Sequence, residues 1–248
     1  MNKKPEPRNS LFPMRLNKYI AHSGICSRRR AGDLVKEGAV KVNGVEERNP
    51  AILVTEKDKV KFQGKVVKPK VKRTYLLLNK PRDVITTMSD EKGRKTVWDM
   101  VQQKVDTRLF PVGRLDRNTT GLLLLTDDGD LAKKLTHPSH KAKKIYHVTL
   151  NRTLKEKDME KILKGLTLED GIAKVDGLDF VKDKSKKEVG IEIHMGKNRI
   201  VRRIFEALGY EVERLDRVYF AGLTKKDLPR GWSRFLNKKE IVMLKHFS

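Results

Sequence analysis

The chain has 248 residues, of which 38 % are hydrophobic, and carries a formal net charge of +24. That hydrophobic fraction excludes a disordered tail protein, and the length suits one large domain or a medium domain plus a small one. A single cysteine and scattered histidines exclude an internal disulfide and argue against a metal site, while the charge makes nucleic acid the natural partner. No apolar stretch approaches the ~20 residues of a membrane span, and the polar N-terminal end holds no signal-peptide core, so a cytoplasmic protein is expected.

Residues 1–13 read as a flexible basic tail. A small module follows over residues 14–67. Leu16, Tyr19 and Ile20 recur at helical spacing, and Gly24 ends that helix. Ser27 is placed to cap a second helix in which Ala31, Leu34 and Val35 share a face, with Gly38 as its stop. Val40 and Val42 alternate into Asn43-Gly44, a strong hairpin signal. Val60 and Phe62 lead to a turn expected at Gly64-Lys65 and a return through Val66 and Val67. Residues 68–73 hold four cations and a proline without periodicity, as a linker does.

Residues 74–248 mix strands and helices without a regular βαβ period. Strands are expected at residues 75–78, 109–112, 122–125, 145–150, 173–181 and 189–194, and helices at 131–135, 155–164 and 200–208. The fold class is therefore α+β, with a large mixed or antiparallel sheet and flanking helices.

The second helix of the small module opens Ser27-Arg28-Arg29-Arg30. Arginine forks at the positive end of a helix dipole attract phosphate, and Lys18, Lys36 and Lys41 extend the patch. Residues 15–44, RLNKYIAHSGICSRRRAGDLVKEGAVKVNG, resemble the S4-type RNA-binding domain. The resemblance implies that Arg15, Lys18, Arg28, Arg29 and Arg30 grip structured RNA. Arg30 stands where many members carry Glu.

The most telling stretch is residues 113–121, GRLDRNTTG, which places Asp116 between Arg114 and Arg117 ahead of an apolar run. A carboxylate flanked by cations at the end of a rigid strand suits an acid that acts on a polyanion. An aspartate is ordinarily ionised at neutral pH, so a cation beside it serves position and charge balance more than deprotonation. Residues 113–131, together with LLLNKP (76–81), THPSHKAKKIYHV (136–148) and GKNRIVRRIFEALGYEVERLDRVYFAGL (196–223), are similar to the pseudouridine synthases of the RsuA/RluB/RluF type. The wording of residues 95–99 and of the NTTG turn favours an RluB-like member, although the small module leans toward RluF.

That resemblance implies an isomerase that detaches uracil from its ribose, turns it and rejoins it through carbon 5, with no cofactor, on a uridine flipped out of its stack. It makes Asp116 the essential acid, acting either on the sugar or on a ribose proton. Tyr146 stacks on the flipped base, and Arg202 is the cation paired with Asp116. Arg199 and Arg203 are expected on phosphates, and one of Arg114 and Arg117 in the gap left by the flipped nucleotide or on its phosphate. Ile200 stands where many relatives have Gln. The expected partner is ribosomal RNA, as a structured stem-loop within pre-ribosomal particles, with the large-subunit RNA favoured over the small-subunit RNA. A monomer is expected, with no metal, membrane or small-molecule cofactor. A non-catalytic ribosome-assembly factor that keeps Asp116 only as a structural residue is the competing reading. A DNA-binding regulator is weaker, because a hairpin directly follows the second helix.

Overall fold

The computed structural model describes residues 12–70 and 72–246, so most of the expected basic tail lies outside the described residues. The chain divides into two units, Met1–Arg73 and Thr74–Ser248.

In the first unit, β1 (Met14–Arg15) leads directly into α1 (Leu16–His22), and α2 (Arg28–Lys36) follows. Ser27 caps α2 by accepting from the Arg30 amide at 3.2 Å, which satisfies one of the orphan donors of the first turn. Strands β2 (Val40–Val42), β3 (Val45–Glu46), β4 (Leu53–Val54), β5 (Val60–Phe62) and β6 (Lys65–Val66) complete the unit; β3-β2-β5-β6 form one sheet, and β4 pairs with β1. Asn43 and Gly44 both take positive φ, 51° and 92°, as a two-residue hairpin requires. The second hairpin turns one residue earlier than expected. Gln63 and Gly64 carry the positive φ values, and Lys65 already pairs with Phe62. Leu16, Ile20, Ala31, Val35, Val40, Val54 and Val60 form the sealed core. The expected linker is anchored at two described points, since the Lys70 amide donates to His22 O and Arg73 meets His22 Nδ1 at 2.9 Å.

The second unit is built on a nine-stranded mixed sheet. Its strands are β7 (Tyr75–Lys80), β8 (Phe110–Pro111), β9 (Thr120–Thr126), β10 (Lys144–Leu150), β13 (Gly177–Phe180), β14 (Glu188–Ile193), β15 (Val212–Phe220), β16 (Leu223–Thr224) and β17 (Ser233–Phe235), in the order β13-β14-β10-β15-β9-β7-β17, with β16 on β15 and β8 on β9. A separate hairpin, β11 (Leu166–Leu168) with β12 (Gly171–Ala173), splits what the sequence suggests is one long strand at 173–181. The helices are α3 (Gly129–Thr136), α4 (Glu156–Lys164), α5 (Ile200–Glu206) and α6 (Lys238–His246).

The leucine runs of β7 and β9 are buried on both faces. Leu76, Leu78, Leu123 and Leu125 enter one core with α4 and α5, while Leu77, Leu122 and Leu124 enter another with α3 and α6. Such double burial explains why these strands read as continuous apolar runs instead of alternating ones.

Strand β15 contacts β9 in parallel at Asp216–Thr120 and Arg217–Gly121, whereas the other described strand pairs of the sheet are antiparallel. Gly121 has φ 107°, and a Cβ there would collide with the Arg217 carbonyl and lie 2.5 Å from its amide. Only glycine fits at this approach. The loop bearing Asp116 enters the sheet at this junction.

Candidate active site

The segment between β8 and β9 carries Asp116, and its shape is set from outside. The Thr86 hydroxyl donates to Leu115 O at 2.7 Å and accepts from the Leu115 amide at 3.2 Å. The Asp83 amide donates to Arg117 O, and the Thr119 amide closes a turn on Asp116 O, each at 3.0 Å. Lys80 is fully buried, and its amine donates to Val84 O at 2.7 Å, Pro81 O at 3.0 Å and Arg117 O at 3.3 Å. Burial drives that amine down to a pKa of about 8, against the pull of Asp116 and Asp83.

Asp116 is half-buried and opens onto a cavity of about 470 Å³. Tyr146 lines the same cavity from β10, together with Thr119, Lys144, Ile200 and Arg217. The positions along β10 alternate, so Tyr146, Val148 and Leu150 face inward. The acid and the ring are therefore brought together.

Arg202 lies on α5 and is nearly buried, but it is not part of the cavity wall. Its Nη1 donates to Val212 O at 2.6 Å, and its Nε is buried without a partner among the described residues. Burial and the neighbouring Arg199 lower its pKa, while Asp116 raises it. Arg202 and Asp116 thus feel each other's charge, but no direct ion pair joins them among the described residues.

The other expected site residues separate into distinct environments. Arg114 is exposed at the cavity rim, and Arg117 is exposed with its Nε 3.1 Å from Asp83. Arg199 lines the cavity in a left-handed conformation (φ 47°) and reaches Glu206 at 3.2 Å. Arg203 is occupied elsewhere: both terminal nitrogens meet the Asp170 carboxylate at 3.0 Å, and its Nε donates to Asn198 O. That bidentate bridge ties α5 to the β11–β12 turn, so a phosphate would have to compete with a paired carboxylate. In the first unit, Arg15, Arg28, Arg29 and Arg30 are all exposed and Lys18 is half-buried. The three helix arginines are not uniformly unopposed, because Arg30 pairs with Glu37 at 2.9 Å and Arg28 contacts Asn17.

Several participants are absent from the sequence-based expectation. Lys80 and Thr86 shape the loop, and Lys144 and Arg217 line the cavity. A lysine ending an apolar run (LLLNK) was the one available signal for Lys80. Ile200 has a plain explanation, since it is buried in the main core while edging the cavity, where an apolar side chain packs. Among the described residues, no group of three or more His, Cys, Asp or Glu is placed to hold a metal ion, and no helix is long and apolar enough to cross a membrane.

Comparison with known proteins gives a consistent picture. A family model described as RNA pseudouridylate synthase matches residues 74–207, and an S4 domain model matches residues 14–60. The ribosomal large subunit pseudouridine synthase B of Bacillus subtilis (strain 168) is 41 % identical over 234 residues, covering 93 % of this chain and 95 % of that protein. The protein of the same name from Vibrio vulnificus (strain CMCP6) is 34 % identical, covering 93 % of this chain and 74 % of its own length. A crystal structure of a pseudouridylate synthase superposes with a TM-score of 0.65 at 29 % identity, covering 93 % of this chain and 99 % of that one.

Proposed function

The chain belongs to the RNA pseudouridylate synthase family, and we propose that it converts a specific uridine of large-subunit ribosomal RNA to pseudouridine with Asp116 as the essential acid. The observation that carries this reading is the meeting of a half-buried, fixed Asp116 with the Tyr146 ring in one open cavity. The choice of RNA follows the two relatives named for the large subunit. A flipped uridine enters that cavity, its base rests on Tyr146, and its sugar meets Asp116. Stacking of this kind contributes on the order of 1–3 kcal/mol per base. Arg202 supports Asp116 through its field and through the position of α5, and does not act as a contact partner. Arg114, Arg117 and Arg199 rim the opening where the flanking phosphates pass.

Around the site the protein acts as a monomer with two parts, an S4 module over residues 14–67 and a catalytic domain from residue 74 onward, joined by residues 68–73. Arg15, Lys18, Arg28 and Arg29 of the module hold the RNA by shape and charge more than by base sequence. The work is cytoplasmic, on pre-ribosomal RNA.

The test is release of tritium from carbon 5 of uridine in ribosomal RNA transcripts. Wild-type chain should release label from the large-subunit transcript, and Asp116→Asn should cut release by at least about 10³-fold with RNA affinity nearly intact. Release from the small-subunit transcript alone would move the substrate. Equal activity in the variant would remove Asp116 from the mechanism, and no release from either transcript would favour an assembly factor.

A further inference from the structure

Two cations line the cavity that the reading above leaves without work, Arg217 buried and Lys144 half-buried. Arg217 is 2 % exposed, its Nε donates to Leu122 O at 2.8 Å, and its guanidinium lies over the Phe220 ring at 4.7 Å. One of its terminal nitrogens is buried with no partner, and no acid pairs with it among the described residues. Lys144 is held by two carbonyls, Ala142 O at 3.0 Å and His194 O at 2.7 Å. An ammonium has three donors, so one remains. Burial, reinforced by Arg217, lowers its pKa to about 8. A buried positive charge without an anion is strongly destabilising, and an orphaned buried donor calls for an explanation.

Their placement supplies one. Arg217 is the direct cross-strand partner of Tyr146, and Lys144 precedes Tyr146 by two residues on the same face of β10. Register shifts beside Tyr146, a bulge of the kind that re-aims side chains next to active sites. The base shelf is thus flanked by a cation along its strand and by another across it.

We propose that Lys144 and Arg217 are catalytic residues that bind the negative charge appearing on the uracil ring when it leaves the sugar. The inference rests on the uridine reading above. When the bond from carbon 1′ to N1 breaks, its electron pair stays with the base and spreads to the two ring carbonyl oxygens. The two cations hold this anion in the cavity while it turns. Carbon 5 then supplies the pair for the new bond to carbon 1′, the proton of carbon 5 is lost, and N1 takes up a proton, so the overall change is an isomerisation. Preorganised donors aimed at developing charge are worth roughly 10²–10³-fold in rate each.

Single-turnover conversion and RNA affinity, measured separately on the full chain with the large-subunit transcript, test this. Lys144→Met and Arg217→Gln should each slow conversion about 10²-fold while Kd stays within about threefold, and Lys144→Arg should recover most of the rate. A transcript with 5-fluorouridine at the target sharpens the test. Fluorine itself stabilises the detached ring anion, so consumption of that nucleotide should fall less than about tenfold in the same variants. Equal losses on both transcripts would mark a structural role, and a loss confined to affinity would assign the cations to a phosphate; either overturns the proposal. Should Arg217→Gln fail to fold, Lys144→Met decides alone. A wild-type chain inactive on every ribosomal RNA would sink the uridine reading, whereas an active wild type with equally active variants would sink only this inference.

Discussion

Two groups of arginines divide this molecule. Arg28, Arg29 and Arg30 stand exposed in the first unit, whereas Arg202 and Arg217 are nearly sealed in the second. The exposed group follows from local sequence: Ser27 caps a helix whose first three residues, at its positive end, are these arginines. The buried pair depends on packing between elements: Arg202 of α5 reaches Val212 O of β15, and Arg217 of β15 reaches Leu122 O of β9. Surface cations in high dielectric give salt-dependent grip with little specificity. Buried cations in a low-dielectric site act strongly on whatever charge forms beside them. Under the proposed function, the same residue type holds the RNA in one unit and surrounds the chemistry in the other.

Substitutions separate the two groups of arginines. Arg202→Gln should lower the single-turnover rate about 10²-fold with little change in RNA affinity; a pure affinity loss would place Arg202 with the surface group. Gly121→Ala attacks the burial itself, since the new methyl group would strike the Arg217 backbone at a strained φ. We expect a loss of about 3 kcal/mol or more in urea unfolding and a fall in activity; a neutral outcome would show that β9 and β15 can separate freely.

Lys80 gives a pH signature of burial. Its folded pKa of about 8 lies below the ordinary 10.5. Between these values the folded chain has shed the proton that the unfolded chain keeps, so the contribution of this group to stability improves as pH rises through that window. Below it both states are protonated and the group is at its least favourable. The wild type should therefore gain on Lys80→Met, by up to about 3 kcal/mol, between roughly pH 7.5 and pH 10. Parallel urea midpoints in the two proteins would contradict this. The smallest effect is expected at the surface. Arg29→Ala should flatten the slope of log affinity against log salt by roughly 0.7–0.9 and leave the saturated rate unchanged. Arg30→Ala should change the slope less, because Glu37 already engages that guanidinium.

What was legible in the sequence follows the same division. The Ser27 cap, the Asn43-Gly44 turn and the helix at Glu156–Lys164 are encoded by near neighbours, and each is found within a residue of expectation. The motif around Asp116 marks the cavity and pairs it with Tyr146. The nine-residue strand Val212–Phe220 escaped detection because its charged residues fall on both faces, so VERLDRVYF has no clean alternation. Arg217 escaped with it, since burial of a charge is decided by a parallel contact about a hundred residues away in sequence. Arg203 reads as a phosphate ligand until Asp170, 33 residues away, is seen to occupy it. The strand-like stretch at 173–181 conceals parts of two strands with different partners.

A single hydroxyl has a consequence beyond its two hydrogen bonds. By donating to the Leu115 carbonyl and accepting from the Leu115 amide, Thr86 holds the two peptide units that flank Leu115, and the second of them leads into Asp116. The backbone that carries Asp116 is thereby set as the chain folds, so under the proposed function its ordering cost does not burden the encounter with RNA. Under the same reading, damage to the segment that presents Thr86 should leave Asp116 and Tyr146 chemically intact yet misplaced, and should register as slow turnover in a molecule that still binds well.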